Sequence, residues 1–416
     1  MKHEIFRQLG YIQQTLSQNK KPIGIFLAAG CPLAVRVNHR SDIETQKEES
    51  DPIIQDVAGL TRVILERLNS GNSGAPSNCD RLVLQMLQDG VLESNIELIL
   101  SQIRALKQVV GKGTVKEFTS DELDCLDKGI CEIIFDQVDK PLLSFDTPYH
   151  HLASWARALE RDKPVNIFTT NYDLLMEQAM EDEGCPYFDG FIGARNAFFD
   201  LRTVENENLL NSGWSRLWKI HGSINWRIDE RKNVVRSDQK DSKQSYLIYP
   251  SHLKYDQSRK MPYLAMLDRL KAFILAPSSA LFIVGYSFSD DHINDVILQS
   301  LRSNATAIVY AFLYGKLEQT KYNKAIQCAK ATSNLNVIAF DKGIIGRKTG
   351  TWFLKEAGKS YDIPGNIVKL FKAQEEVNGE NVEVDKVEFQ LGDFELFGNF
   401  LRDISANEIT DETFNK

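Results

Sequence analysis

Val165-Asn166-Ile167-Phe168-Thr169-Thr170-Asn171-Tyr172-Asp173-Leu174-Leu175 is the stretch whose reading decides the fold. An apolar, β-branched run breaks off into small and polar side chains, and a helical pattern (Leu174, Leu175, Met176, Ala179) takes over. A strand that delivers polar residues at its carboxyl end, just before a helix, is where open α/β sheets place their ligand chemistry. Threonine, asparagine and aspartate are thus presented at a crevice, and the other segments are judged by whether they face it.

Three further apolar runs end in the same way. Ile23–Leu27 stops at Ala28-Ala29-Gly30-Cys31-Pro32, where small residues let a backbone approach a ligand phosphate. Trp214–Ile220 stops at His221-Gly222-Ser223, and Ala280–Val284 stops at Gly285-Tyr286-Ser287-Phe288-Ser289-Asp290-Asp291. Alone, each tip also reads as an ordinary turn, a helix cap or a strand-end histidine bonded to backbone. Together they predict a Rossmann-like doubly wound, mostly parallel sheet whose tips share one edge. Asp290 and Asp291 are read only as helix-start residues, favoured there by capping and by the helix dipole.

The segments between these strands set the domain organisation. Ile5–Leu16 has amphipathic helical spacing. Asn38–Asp51 is polar and reads as a loop, and residues 69–78 are loop by composition. Pro52–Leu68, Arg81–Val109, Leu123–Val138 and Thr147–Leu159 carry helical periodicity, which predicts a large helical insertion over about residues 52–160. Arg227–Lys243 reads as a solvated loop or hairpin, Tyr246–Pro250 as a strand, and Pro262–Ala276 as an amphipathic helix. Ala305–Tyr314 and Leu335–Phe340 read as two more strands. Residues 1–345 are expected to form the nucleotide-binding domain, and 346–416 a carboxyl-terminal appendage for packing or assembly, partly helical over Phe353–Ala373.

Bulk properties narrow the function. A chain of 416 residues, 43% hydrophobic, can bury a sizeable core. Lys+Arg 49 against Asp+Glu 57 gives a net charge of −8, which argues against broad nucleic-acid binding by this chain alone. The six cysteines are scattered without a CxxC pair, so neither a disulfide framework nor a four-cysteine zinc site is expected. His150-His151 lacks companions for a metal site. Met1-Lys2-His3-Glu4 does not read as a signal peptide, and Phe273–Phe288 is broken by Pro277, Ser278 and Ser279, so no membrane span is expected. The expected location is the cytoplasm.

In that order and with those residues, the four tips resemble the sirtuin-like domain, in the divergent bacterial branch of antiphage defence. The resemblance spans roughly Ile23 to Asp341. It implies NAD+ as substrate, cleaved to ADP-ribose and nicotinamide, with no metal. Carried over, Ala28, Ala29, Gly30 and Cys31 would line the pyrophosphate loop. Asn171 would act in catalysis, holding the nicotinamide ribose or the attacking water, Thr170 would contact the dinucleotide beside it, and Asp173 would support that pocket. His221 would be the general base, and Gly285, Ser287 and Phe288 would sit near the adenosine ribose and phosphate. Among the branch, the chain is similar to the sirtuin-like subunit that assembles with a HerA-type ATPase, which implies that partner and a homo-oligomer.

Two departures bear on chemistry. The first glycine of the usual Gly-Ala-Gly loop is Ala28, which narrows the room for backbone approach. The paired CxxC motifs of the sirtuin zinc ribbon, which helps form the acyl-lysine groove, are absent. That favours hydrolysis of free NAD+ over the alternatives of NAD+-dependent deacylation or ADP-ribosyl transfer. A non-catalytic, nucleotide-sensing scaffold subunit is the reading from a different class. Histidine suits the base because it titrates near neutrality, whereas asparagine positions hydroxyls without adding charge.

Overall fold

The computed structural model describes residues 1–42, 47–69, 77–91, 95–143, 146–158, 161–231, 233–237, 245–248, 262–355, 367–377 and 380–414. Its centre is a 10-stranded sheet. In chain order the strands are β1 (Lys2–Glu4), β2 (Ile23–Leu27), β3 (Asn166–Thr169), β4 (Tyr187–Phe188) and β5 (Ser215–Lys219). They continue with β6 (Ala280–Val284), β7 (Ile308–Phe312), β8 (Leu335–Ile338), β9 (Lys342–Ile345) and β10 (Lys348–Phe353). Across the sheet the order is β1-β10-β9-β8-β7-β6-β2-β3-β5-β4. Every pair from β8 to β4 is parallel, while β9 runs antiparallel to both β8 and β10.

The continuous apolar runs follow from burial on both faces. In β2, Ile25 and Leu27 point into one core and Phe26 into the other. In β6, Phe282 and Val284 join the first core while Leu281 and Ile283 join the second. Successive side chains of a strand leave opposite faces, so a strand between two helical layers must be apolar throughout. On one face lie Ile5–Leu16, Pro148–Ala158 and Leu175–Asp182; on the other lie Tyr263–Leu275 and Asp291–Ser303. The fold is therefore α/β, Rossmann-like and doubly wound.

Between β2 and β3 the chain forms the helices Val57–Asn69, Asn78–Gln88, Ile96–Val109, Ser120–Val138 and Pro148–Ala158. Two of them start with reciprocal capping boxes, Ser77 with Asp80 and Thr119 with Glu122. Arg104 (3.1 Å) and Lys107 (3.0 Å) both pair with Asp127, tying Ile96–Val109 to Ser120–Val138.

Three segments differ from the sequence expectation. Asn38–Asp51, expected as a loop, lies largely in the antiparallel ribbon Arg36–Asp42 with Lys47–Pro52. Phe353–Ala373, expected to be partly helical, has strand in its described parts: β10 ends at Phe353, and Val368–Val377 pairs with Glu380–Phe389. The boundary expected at 345 falls inside the sheet, because β10 sits between β1 and β9. In all three, charged and polar residues interrupt the apolar ones, and Lys348–Phe353 buries only Gly350 and Trp352, so no continuous apolar run marks them. Ser245–Ile248 is a strand, and the rest of Tyr246–Pro250, with residues 238–243 and 70–76, lies outside the described residues.

The last helix, Phe394–Phe414, packs on Pro148–Ala158. A Cβ at Gly398 would meet the Pro148 Cα at 2.6 Å, so the glycine permits that approach, and the Tyr149 and Phe394 rings meet edge-on at 5.0 Å.

Candidate active site

The registers of the parallel strands fix the edge on which chemistry can gather. Leu27 pairs with Thr169 and with Val284, and Thr169 pairs with Lys219, so four strands end on one level. The ladder runs one residue further: Thr170 N donates to Leu27 O (3.2 Å), Ile220 N to Thr169 O (2.8 Å) and Ala28 N to Val284 O (3.1 Å). The loops after β2, β3, β5 and β6 consequently emerge side by side.

The loops after β2 and β6 meet backbone to backbone. Gly30 N donates to Gly285 O at 3.0 Å, and a Cβ on Gly30 would lie 2.8 Å from the Gly285 Cα. Gly285 has φ +72°, and a Cβ there would lie 2.7 Å from the Cys31 nitrogen. Neither position has room for a side chain. Cys31 N is in turn donated to Ala28 O at 2.8 Å. The amides of Ala28, Gly30 and Cys31 are thus already engaged within the protein, and it is the small surface of Ala29 and Gly30 that faces the crevice.

Two cavities share this glycine contact as a waist. The inner one, about 170 Å³, is lined by Ala28, Thr170, Asn171, Tyr172, Asp173 and His221 among others. The outer one, about 680 Å³, is lined by Gly30, Arg36, Tyr314, Lys321 and the segment Gly392–Glu395. Ala29, Gly285 and Ser287 border both.

In the inner cavity, Asn171 Nδ2 donates to Ala28 O at 3.3 Å, so the amide bridges the β3 and β2 loops. His221 Nε2 lies 3.3 Å from Asp290 Oδ2, both side chains being about nine-tenths buried. Asp290 also caps its helix, Oδ1 accepting from His292 N (3.0 Å) and Ile293 N (3.3 Å). Tyr172 is anchored through its carbonyl, which accepts from Ile224 N at 3.0 Å, just beyond His221.

Asp173 faces inward more than outward. Its Oδ1 accepts from Leu175 N at 3.0 Å, its carbonyl receives Lys219 Nζ, and Lys219 also meets Glu177 at 2.7 Å. Burial raises the pKa of the Asp173 carboxyl, against the opposing pull of Lys219. Glu177 is raised by burial in the same way, with Lys219 again opposing. This network is a foundation beneath the pocket.

Two residues expected in the crevice lie elsewhere. Cys31 is fully buried, its Sγ 3.4 Å from Val284 O, and burial pushes its thiol pKa well up, so it is inert. Phe288 is 1% exposed with φ +61°, its ring packed on Tyr286 at 4.9 Å and its carbonyl accepting from Asn294 Nδ2 at 2.7 Å. Both side chains turn into the core because the loop carrying each bends back on itself. Ser287 and Gly285 remain on the crevice surface.

Three lining residues carried no role in the sequence reading. In sequence Asp290 is a helix start whose charge would repel a phosphate, but its second carboxylate oxygen faces His221 rather than the waist. Tyr172 lay between two polar residues of the quoted stretch. Glu97 is on the helix Ile96–Val109, and nothing local in sequence connects it to the sheet edge. Among the described residues no group of three or more His, Cys, Asp or Glu is placed to hold a metal ion, and no helix is long and apolar enough to cross a membrane.

The half of the crevice formed by β3, β5 and β6 coincides with a known sequence family. Residues 165–338 match the SIR2-like domain family. That span is under half of the chain and holds Asn171, His221 and Asp290; the β2 loop and the helical segment lie before it. A solved structure described as "Structural Basis for the Mechanism and Regulation of Sir2 Enzymes" aligns with TM-score 0.35 and 10% identity, over 76% of this chain and 88% of that one. It is too distant to transfer a role to any residue. No curated protein matches the sequence.

Proposed function

We propose that this protein hydrolyses NAD+ to ADP-ribose and nicotinamide. The observation that carries the reading is the convergence of Asn171 and the His221–Asp290 pair on one cavity, joined past Ala29 and Gly285 to a second. A dinucleotide has that form: a reactive base and ribose at one end, a pyrophosphate that needs close backbone approach, and an adenosine at the other end. The SIR2-like match over residues 165–338 supports NAD+ as the dinucleotide.

In this reading His221 takes a proton from water as the water oxygen bonds to C1′ of the nicotinamide ribose. The C1′–N bond breaks, and its electron pair neutralises the pyridinium nitrogen of the departing nicotinamide. Asp290 holds the imidazole with one nitrogen toward the reaction, the orienting job a carboxylate does for a catalytic histidine. Asn171, anchored on Ala28 O, positions the water or a ribose hydroxyl. The expected test is nicotinamide release from NAD+ without any acylated peptide, lost in His221→Ala and Asn171→Ala. Release at the wild-type rate in both variants defeats the assignment.

A free NAD+ hydrolase is toxic to its host, so we infer a low activity for the isolated chain that rises on assembly with copies of itself and a HerA-type ATPase, within antiphage defence. The resemblance of the four strand tips supports this setting. An assay with and without that ATPase tests it, and full activity of the dilute chain alone overturns it.

A further inference from the structure

The helical segment between β2 and β3 contributes a charged wall to the inner cavity. Glu97 lines it, one residue into the helix Ile96–Val109 and capped in by Asn95, whose Oδ1 accepts from Leu98 N at 3.0 Å. Among the described residues no hydrogen bond or ion pair engages the Glu97 carboxylate. Tyr172 lines the same cavity, its ring 6.5 Å from that of His221 at 30°. The Tyr172 hydroxyl is buried and has no hydrogen-bond partner among the described residues. Burial, and after it the charge of Glu97, keeps that hydroxyl protonated and able to donate, against the smaller opposing charge of Arg104.

A buried donor without an acceptor is costly, and a half-buried carboxylate lining the same cavity draws positive charge into it. The entering group must be flat enough to lie beside an aromatic ring, bear positive charge, and offer a hydrogen-bond acceptor. We propose that Glu97 and Tyr172 make the inner cavity a receptor for a cationic aromatic base, selecting the oxidised, pyridinium form of the dinucleotide over its uncharged reduced form. This rests on the NAD+ reading above and adds to it a specificity residue from a part of the chain outside the SIR2-like match. Tyr172 supplies the ring face and a hydroxyl for the carboxamide oxygen, and Glu97 faces the charge.

Binding to the full chain carrying His221→Ala, in which turnover is removed, separates the two levels of inference. Calorimetry would measure NAD+, NADH and ADP-ribose. The expected result is tighter binding of NAD+ than of NADH, with that preference abolished by Glu97→Gln through a loss of about tenfold in NAD+ affinity. ADP-ribose, which lacks the base, should bind Glu97→Gln as it binds the parent, and Glu97→Asp should retain the preference. Equal affinity of the parent for NAD+ and NADH, or a preference that survives Glu97→Gln, overturns the receptor while leaving the hydrolase reading intact. Failure of the parent to bind either ADP-ribose or NAD+ overturns both.

Discussion

His221 Nε2 and Asp290 Oδ2 lie 3.3 Å apart across the crevice, one from the loop after β5 and the other from the first turn after β6. Asp290 spends its second oxygen on capping its helix, so a single carboxylate joins the base to the sheet's opposite half. Asp290→Asn keeps a capping oxygen and removes the charge. Its NAD+ turnover should fall at least about tenfold with the thermal midpoint nearly unchanged. Asp290→Ala should also lose about 1 kcal/mol of stability from the lost cap. Nicotinamide release and thermal melts of both variants measure this, and an Asn variant with wild-type turnover removes Asp290 from the mechanism.

Gly30 and Gly285 hold the waist by having no side chains. Gly285→Ala puts a Cβ 2.7 Å from the Cys31 nitrogen in left-handed backbone, and should cost at least about 2 kcal/mol. Gly30→Ala should destabilise as well, and the double variant should cost less than the sum, because both substitutions push apart the same contact. Urea unfolding midpoints read all three.

Lys219 is 1% exposed and neutralises Glu177 beneath the pocket. Lys219→Met should cost about 3–5 kcal/mol at neutral pH, since it strands a buried carboxylate. Burial already raises the Glu177 pKa, and removing Lys219 lifts it further. A carboxyl with a folded pKa above its unfolded value loses stability as pH rises from the unfolded value, about 4.3, through the folded one. The deficit should therefore be smallest near pH 4 and full only above the folded pKa, as denaturant unfolding across that range would show.

Asp127 works in the opposite direction. Burial pushes its pKa up, but Arg104 and Lys107 outweigh burial and hold the carboxyl below its usual range. Its contribution is present above the unfolded pKa of about 3.9 and is lost as pH falls through the folded value. Asp127→Asn should cost roughly 2 kcal/mol at pH 7 and progressively less as pH falls through the folded value. Hydrogen exchange along Ile96–Val109 across that range checks it, because that helix carries Glu97.

The centre of the fold was legible because burial on two faces leaves a continuous apolar word: Ile23–Leu27 and Ala280–Val284 were read with the bounds they have. The strands Arg36–Asp42, Lys348–Phe353 and Val368–Val377 are interrupted by charged and polar residues and carry no such word, so composition points to loop or helix. Sequence order placed Asn171 and His221 at strand tips, but side-chain direction in a loop depends on dihedrals that tertiary packing sets. That is why Cys31 and Phe288 went to the core. Glu97 was out of reach for a different reason, since helical periodicity says which residues are buried and not which sheet edge a helix end will overhang.

The strand order bears on how the chain comes to be folded at all. β2 is made early, yet its two neighbours are β3 and β6, and β6 ends at Val284. At the sheet margin, β1 waits for β10, with Lys2 opposite Thr351. A ribosome must therefore release most of the polypeptide before the central sheet can close, and such distant pairings put the molecule in the slow-folding class. Until then Ile23–Leu27 keeps at least one edge unpaired, the kind of nascent apolar segment that chaperones shield.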